Sequence, residues 1–278
     1  MKTIGIVGLG VMGASFAIRC KQLGYIVYGI DIDHETIEYA LDHDMIDEGD
    51  TKGDGSLSKC DLVLLALYPT QLKSWIEQNQ KELKPGTLLL EISGVKSNIS
   101  KELQNILRPD LELLSIHPMC GRESRGIRFA DPKIFENANF IIIPLENNST
   151  KAVVTISAFA KELGCKNIGV LSIEEHDRMI GFLSQLTHVI AVSLMNTHEN
   201  AHLVEYTGDS FRDLTRIAKI NEDMWSELFV LNKEILLDEI DQFMASIQNF
   251  RTLLQNEDID GMKKEFIQST DRRKKFDQ

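Results

Sequence analysis

The sequence predicts an α/β fold, in which an N-terminal doubly wound parallel sheet is followed by an all-α domain. Three features support this prediction. A G-x-G-x-x-G motif directly follows the first apolar run, short apolar runs alternate with helical patterns up to residue 145, and long apolar helical patterns fill the remainder. Short, nearly all-apolar runs are typical of strands buried on both faces, and their alternation with helices is typical of parallel sheets with right-handed crossovers.

The first strand is predicted at residues 3–7 and leads directly into the glycine motif. Gly8 allows a sharp turn out of the strand, Gly10 lets a pyrophosphate approach the backbone, and Gly13 lets the next helix lie close to the sheet. The first N–H groups of that helix then face the phosphates. The motif predicts a Rossmann-type dinucleotide site, with a structural glycine turn as the alternative. The candidate binding residues are Gly8, Leu9, Gly10, Val11, Met12 and Gly13.

The second predicted strand, residues 25–30, ends at Asp31. A carboxylate about 20 residues after the motif is placed to accept a hydrogen bond from the ribose 2′-hydroxyl of NAD. The same carboxylate would repel the 2′-phosphate of NADP, and no arginine follows it immediately. The sequence therefore favours NAD as the cofactor.

Four further strands are predicted before residue 145 and a short one at Asn167–Leu171, with helices that include one capped by Asp33 and one over Thr70–Leu83. Ligands of such sheets bind beyond the carboxyl ends of the strands, so the residues after each strand are candidates for the site. Leu67 and Tyr68 are predicted to border the adenosine side of the cofactor, although a plain turn fits equally well. The four strands are predicted at residues 61–67, 87–91, 111–116 and 139–143.

Two later strands are followed by residues with reactive or small side chains. Ser93 and Gly94 follow the strand at 87–91, where small residues suit the close approach of a ligand. His117 follows the strand at 111–116, and Pro118 holds it in an extended conformation. An imidazole at the mouth of the sheet can accept a proton near neutral pH. A catalytic base and a structural histidine fit this position equally well.

A domain boundary is predicted near residue 171, which gives a dinucleotide-binding domain at residues 1–171 and a helical domain at residues 172–278. Ser172 and Glu175 match a capping box that opens the first helix of the second domain.

This first helix is apolar on nearly every face from Met179 to Leu194, which predicts that it is buried all round. A second apolar stripe begins at Met224 and predicts a helix of about 30 residues. Because an obligate dimer interface resembles a core cut in half, this much apolar helical surface predicts a homodimer formed through the helical domain.

The helical domain also contains candidate polar groups. His188 lies in an apolar stretch, where a lone histidine is more often a satisfied core residue than a ligand-binding one. Arg212 and Arg216 are spaced i, i+4, and two guanidinium groups on one helix face suit a dicarboxylate. A surface salt bridge with Asp213 or Glu222 is the simpler explanation of these arginines.

Composition limits the possible partners. The 278-residue chain has a formal net charge of −12, which argues against nucleic acid or an anionic membrane surface as a partner. It has no uninterrupted apolar run of about 18 residues, the length of a membrane span, and its first strand begins too early to leave room for a signal peptide. The four cysteines are far apart, which favours reduced thiols in the cytoplasm and no metal site.

Several segments, in one order over nearly the whole chain, resemble the prephenate and arogenate dehydrogenase family of tyrosine biosynthesis. They are His117-Pro118-Met119-Cys120-Gly121-Arg122-Glu123, His176-Asp177, Ser184–His188, Phe211–Ala218, Met224-Trp225 and Asn232-Lys233-Glu234.

The resemblance implies a Rossmann domain joined to a helical dimerisation domain, and it implies roles for several residues. The nicotinamide would take a hydride from the ring carbon that bears the hydroxyl group, and His117 would accept the hydroxyl proton. The neighbouring ring carboxylate would leave as carbon dioxide as the ring becomes aromatic. Arg216 would bind a substrate carboxylate, and His188 would line the substrate pocket.

The chain departs from the family pattern at three places. The family's Gly-Ser-Val-Lys is replaced by a segment that begins with Ser93-Gly94, so the serine that bonds to the catalytic histidine is displaced by one residue and Ser93 is its candidate replacement. In the family's Ser-His-Leu-Pro-His segment, Gln185 and Thr187 replace the first histidine and the proline. Arg122 replaces a small or hydroxyl residue, and we hypothesise that it adds a cation for a second carboxylate and favours a keto-acid side chain.

The predicted function is the NAD-dependent oxidative decarboxylation of prephenate to 4-hydroxyphenylpyruvate, with arogenate as the alternative substrate. A β-hydroxyacid dehydrogenase or a pyrroline-carboxylate reductase has a similar build, but neither accounts for the His-Pro-Met and Thr-Arg-Ile-Ala segments. A non-catalytic dinucleotide-binding regulator is favoured only by the displaced serine. The sequence leaves the choice between prephenate and arogenate open.

Overall fold

The computed structural model describes residues 2–53, 55–97, 99–121, 124–199 and 201–277, with the backbone alone at Ala201. Within these ranges eight strands form one sheet, in the order β3-β2-β1-β4-β5-β6-β7-β8. The strands are Thr3–Val7 (β1), Ile26–Ile30 (β2), Glu48–Asp50 (β3), Leu62–Leu65 (β4), Leu88–Glu91 (β5), Glu112–Met119 (β6), Asn139–Ile143 (β7) and Asn167–Val170 (β8). The predicted fold class is confirmed.

The helices begin where the sequence supplies caps. Asp33 accepts a hydrogen bond from the backbone N–H of Glu35, and Ser172 and Glu175 form the reciprocal capping box. The helices are Val11–Gln22 (α1), His34–Asp42 (α2), Pro69–Asn79 (α3), Ile99–Ile106 (α4), Thr150–Leu163 (α5), Ile173–Ile180 (α6), Thr187–Met195 (α7), Asp209–Thr215 (α8), Glu222–Leu231 (α9), Lys233–Gln255 (α10) and Ile259–Arg273 (α11).

The sheet departs from the all-parallel prediction between β6 and β7, which are antiparallel and pair His117 with Ile141. A parallel pair needs a long crossover, usually a helix. The connection from β6 to β7 contains only the short 3₁₀ turns Ile127–Phe129 and Pro132–Phe135 among its described residues. The chain therefore returns alongside β6 in the opposite direction. The short strand β3 was not predicted because its sequence, Glu-Gly-Asp, contains no apolar residue.

Helices cover both faces of the sheet. Phe16 of α1 and Phe159 of α5 belong to the core on one face, and Leu72 of α3 and Leu103 of α4 belong to the core on the other. Because helices cover both faces, a ligand can reach the sheet at the ends of its strands. The carboxyl ends of β1, β2, β4 and β5 lie side by side.

The chain forms two compact units, Met1–Asn232 and Lys233–Gln278. The first contains the sheet and α1–α9, and the second contains α10 and α11. The boundary predicted near residue 171 lies inside the first unit and stays a prediction about domain organisation.

The helical run from Ile173 to Met195 contains a π-helical stretch, Gly181–Leu186, between α6 and α7. It was predicted to be buried all round, but Phe182 and Leu183 are about half exposed in the single chain. By length and composition this run could cross a membrane, a weak indication because core helices of soluble proteins meet the same test. The expectation that the chain has no membrane partner therefore stays a prediction.

The helix predicted to run for about 30 residues from Met224 is divided into α9 and α10 at Asn232. The Asn232 side chain is 3% exposed, and its Nδ2 donates to the carbonyl oxygen of Asp177 at 3.1 Å and to Oε1 of Gln185 at 2.7 Å. Gln185 in turn donates to the carbonyl oxygen of Leu228 at 3.0 Å. These bonds hold the end of α9 against the helical run that begins with α6.

The Asn232→Ala variant should lower the free energy of unfolding by about 1–3 kcal/mol, because Oε1 of Gln185 would be left buried without a donor. Urea denaturation monitored by circular dichroism measures this change. Asn249→Ala is the control: its side chain bonds to Glu265 at an exposed site, and its effect should stay within about 0.5 kcal/mol. An equal, small effect of both variants would contradict a stabilising role for Asn232.

Candidate active site

The glycine loop between β1 and α1 is shaped partly by packing and partly by space for a ligand. A Cβ on Gly13 would lie 1.8 Å from the carbonyl oxygen of Gly8, and a Cβ on Gly8, whose φ is +86°, would lie 2.5 Å from the carbonyl oxygen of Ala66. These two glycines are required by the protein's own close contacts. A Cβ on Gly10 would have no atom within 4 Å. Gly10 is therefore the glycine whose surroundings leave room for a ligand.

Asp31 joins this loop to the end of β2. Its Oδ2 accepts a hydrogen bond from the N–H of Leu9 at 2.7 Å, and its Oδ1 accepts one from the N–H of Asp33 at 3.0 Å. Gly10 is the N-cap of α1 and has no side chain to bond to the first N–H groups of the helix. A helix N-terminus of this kind, with a carboxylate fixed beside it, fits a dinucleotide.

Leu67 and Tyr68 lie after β4, beside the same loop. Leu67 Cδ2 would be 3.2 Å from a Cβ on Gly8. Tyr68 is the N-cap of α3, is 40% exposed, and accepts a hydrogen bond on its hydroxyl from Asn221 at 3.3 Å. Both residues therefore lie at the edge of the candidate cofactor site.

His117 lies at one end of a line of polar side chains. β6 continues to Met119, so His117 is inside the strand rather than after it as predicted. Its Nδ1 lies 2.8 Å from Nε2 of His176, and Nδ1 of His176 lies 2.7 Å from Oδ1 of Asp177. His176 and Asp177 are fully buried at the start of α6. The other end of the line is held by the loop after β5, where the backbone N–H and the hydroxyl of Ser97 both donate to Oδ2 of Asp177.

A buried ion pair lies beside this line. Nζ of Lys96 is 2.7 Å from Oε1 of Glu91 and donates to the carbonyl oxygen of Ile116 at 2.8 Å, and both charged side chains are 0% exposed. The Ser93 hydroxyl donates to Oε2 of Glu91 at 2.5 Å. Ser93 was the candidate for the serine that bonds to His117; in the structure its hydroxyl bonds to Glu91.

The residue after Ser93 has a packing role. A Cβ on Gly94 would lie 3.2 Å from a methyl carbon of Leu228 in α9. This contact is tighter than an ordinary van der Waals contact, so the Leu228 side chain would have to move by a few tenths of an ångström to admit a Cβ. The position therefore suits glycine, and no serine hydroxyl is available there.

The environment keeps both imidazoles neutral. Burial lowers the pKa of His117 well below its ordinary value, and the positive charges of His176 and Lys96 would lower it further. Burial also lowers the pKa of His176, although Asp177 opposes this shift. Burial alone would raise the pKa of Asp177, but hydrogen bonds from His176, Ser97 and the Lys96 backbone hold it below its ordinary value. His117 can therefore accept a proton at neutral pH.

The predicted substrate residues lie in the helices that follow. The ring of His188 packs on Trp225 with ring centroids 3.7 Å apart, and its Nδ1 donates to the carbonyl oxygen of Ser184 at 2.8 Å. Arg212 is exposed on α8, whereas Arg216 begins a 3₁₀ turn after α8 ends, so one continuous α-helix does not carry both arginines. Glu222, a suggested partner of these arginines, pairs with Arg125 at 2.7 Å. Arg122 lies outside the described residues.

Sequence reasoning missed the contact between His117 and His176, which are 59 residues apart. The available signal was the polar pair His176-Asp177 directly after the capping box of an otherwise apolar helix. Among the described residues, no group of three or more His, Cys, Asp or Glu side chains could hold a metal ion.

Comparison with known proteins identifies two family models along the chain. Residues 14–169 match the family model for the nucleotide-binding domain of prephenate dehydrogenase, and residues 172–268 match the model for its dimerization domain. The prephenate dehydrogenase of Bacillus subtilis is 27% identical over 98% of this chain and 75% of its own length. The cyclohexadienyl dehydrogenase of Zymomonas mobilis is 27% identical over 96% of this chain and 94% of its own length.

A solved structure is also similar over the whole chain. The prephenate dehydrogenase of Aquifex aeolicus, in complex with hydroxyphenyl propionate and NAD+, has a TM-score of 0.91 and is 27% identical, and the match covers 99% of this chain and 98% of that one.

Proposed function

The chain belongs to the prephenate dehydrogenase family, and from that premise we propose how its own residues carry out the reaction. It is an NAD-dependent oxidoreductase that oxidises and decarboxylates prephenate to 4-hydroxyphenylpyruvate. NAD+, when bound, accepts the hydride from the ring carbon that carries the hydroxyl group. The loop from Gly8 to Gly13 holds the pyrophosphate, and Asp31 holds the ribose.

His117 acts as the base that takes the proton of the substrate hydroxyl group. The electron pair of the bond to the departing carbon dioxide enters the ring, which becomes aromatic, and the proton held by His117 returns to the ring oxygen. The observation that carries this proposal is the neutral, partly buried imidazole of His117 at the carboxyl end of the sheet. A base with a lowered pKa is unprotonated at the start of the reaction, as proton abstraction requires.

We propose that Arg216 binds a substrate carboxylate and that His188 lines the substrate pocket, with Arg212 and Arg122 as further cations for the dianion. The support for these roles is the matching Phe211–Ala218 segment and the ring of His188, which is fixed on Trp225. A guanidinium group suits a carboxylate because it can form two parallel hydrogen bonds.

We also propose a cytoplasmic homodimer formed through the helical part after residue 171. Two features support this assembly: the match of residues 172–268 to a dimerization domain, and the half-exposed apolar side chains Phe182 and Leu183 on the helical run before Met195.

The test of the function is NADH formation by the purified chain with four combinations of substrate and cofactor. We expect the highest kcat/KM with prephenate and NAD+, and one 4-hydroxyphenylpyruvate released per NADH. With NADP+, kcat/KM should fall by about ten-fold or more, because like charges placed together cost more than the roughly 1.4 kcal/mol that this factor represents.

Each other outcome identifies a different alternative. A higher kcat/KM with arogenate would make the chain an arogenate dehydrogenase, and a preference for NADP+ would contradict the role of Asp31. NADH formation with 3-hydroxyisobutyrate, but with neither cyclohexadienyl substrate, would assign the chain to the β-hydroxyacid dehydrogenases. An absence of turnover with all of these substrates would leave a dinucleotide-binding regulator.

A further inference from the structure

The hydrogen bonds along the line Asp177–His176–His117 donate in one direction, and that direction is set at Asp177, the buried end of the line. Asp177 accepts hydrogen bonds from the backbone N–H of Lys96 at 3.0 Å and of Ser97 at 2.7 Å, and from the Ser97 hydroxyl. The two backbone N–H groups can only donate, and a carboxylate that accepts hydrogen bonds from both of them is held as the anion. An anion offers only acceptors, so Nδ1 of His176, 2.7 Å from Oδ1, must carry a proton.

This proton determines the next contact. A neutral imidazole has one protonated nitrogen and one lone pair, so Nε2 of His176 is an acceptor. It lies 2.8 Å from Nδ1 of His117, a distance that requires a hydrogen bond, and Nδ1 of His117 must therefore be the donor. The remaining nitrogen of His117, Nε2, then has the lone pair that can accept a proton.

We infer that His176 and Asp177 are positioning residues, which set the tautomer of His117 and leave its Nε2 as the basic atom. This inference rests on the proposed function, in which His117 is the base. Within the described part of the chain no hydroxyl group bonds to His117, because the Ser93 hydroxyl is held on Glu91. The histidine pair therefore supplies the contact that orients the base.

Donation in the opposite direction, from His176 to His117, requires an unfavourable protonation state of His176. If His176 donated from Nε2, it would be either unprotonated at Nδ1, facing the Asp177 carboxylate with two acceptors in contact, or doubly protonated. A second proton on His176 is opposed by its burial and by the Lys96 ammonium group, whose charge Glu91 only partly offsets. In both cases Nε2 of His117 would be protonated and could not act as a base.

The Asp177→Asn variant is expected to reverse the direction of hydrogen-bond donation between His176 and His117. Oδ2 of Asp177 is within reach of both backbone N–H groups, 3.3 Å from that of Lys96 and 2.7 Å from that of Ser97. We therefore expect the amide oxygen of the asparagine at that position, and its NH₂ group then faces Nδ1 of His176. His176 would donate from Nε2 to His117, and the proton of His117 would move to Nε2. We expect kcat to fall on the order of 10²–10⁴-fold, the usual contribution of a positioned base, while the KM values for both substrates change little.

The tautomer can be measured without any turnover. Nitrogen NMR of the ligand-free chain with labelled histidine should show a protonated Nδ1 and an unprotonated Nε2 on His117, and the reverse in Asp177→Asn. The signal of His117 is assigned by its loss in a His117→Asn sample. A wild-type His117 protonated at Nε2 would overturn the inference, as would an Asp177→Asn variant with unchanged tautomer and kcat. Absent turnover by the wild type would refute the proposed function while leaving this measurement valid.

Two variants of His176 keep the inference testable if Asp177→Asn does not fold. His176→Gln places an amide oxygen where Nε2 lies, so it can still accept from His117 and should retain more of the wild-type kcat than His176→Phe, which offers no acceptor. Asn232→Ala is the stability control, because it loosens the same helix start without touching the three side chains, and it should keep kcat. Equal losses of kcat in the Gln and Phe variants would contradict a positioning role.

Discussion

The His117→Asn variant should retain its fold and its affinity for NAD+ but lose kcat by on the order of 10²–10⁴-fold, the factor that a positioned proton acceptor supplies. The amide NH₂ of asparagine lies close to where Nδ1 of histidine lies, so it can still donate to Nε2 of His176, now 2.8 Å from that atom. The variant has no counterpart of Nε2, however, and cannot take the substrate proton. The loss should therefore appear in kcat rather than in the KM for prephenate.

Initial rates of NADH formation over a range of pH measure this effect. Because burial lowers the pKa of His117, the wild-type base stays unprotonated as the pH falls through about 6.5, the ordinary value for histidine. Its kcat/KM should decline only below that pH, and this acid limb should be absent from the variant. His43→Asn is the matched control, since His43 is the exposed C-cap of α2 and its Nδ1 bonds to the carbonyl oxygen of Tyr39, one helical turn earlier. Wild-type turnover by His117→Asn would show that another group takes the proton.

The features that the sequence predicted correctly depend on neighbouring residues. Asp33 and Ser172 cap helices because their side chains reach N–H groups two or three residues later. Gly8 and Gly13 were identified by their spacing, and their contacts with Ala66 and with each other explain why no larger side chain fits. Rules that relate residues a few positions apart apply wherever the local pattern occurs, so the fold class could be predicted from the sequence.

The features that the sequence did not predict depend on contacts between distant segments. The apolar stripe after Met224 continues past Asn232, yet the helix is interrupted there, and the Asn232 side chain bonds to Asp177 and Gln185, about 50 residues earlier in the chain. The bond from the Ser93 hydroxyl to Glu91 joins residues only two positions apart, but choosing it over a bond to His117 required the placement of β6 beside β5.

Substitutions in the glycine loop should give a second large effect, and two of them distinguish glycines needed for packing from glycines needed for ligand binding. In Gly13→Ala the new Cβ would lie 1.8 Å from the carbonyl oxygen of Gly8, so α1 or the loop must move. We expect the free energy of unfolding of the ligand-free chain to fall by about 1–3 kcal/mol, the usual cost of overpacking, and NAD+ binding to be lost with the loop geometry.

Gly10→Ala is the matched variant, with the same added methyl group three residues earlier. A Cβ there would meet no protein atom within 4 Å, and the φ of −66° is one that alanine adopts readily. The ligand-free stability should stay within about 0.5 kcal/mol of wild type, whereas the Kd for NAD+ should rise by about ten-fold or more, equivalent to 1.4 kcal/mol, because the methyl group occupies the space of the pyrophosphate. Thermal unfolding with and without NAD+, together with calorimetric titration, measures both quantities. Unchanged NAD+ affinity in Gly10→Ala would mean that the phosphates bind elsewhere, and unchanged stability in Gly13→Ala would mean that the helix can move away from the sheet at no cost.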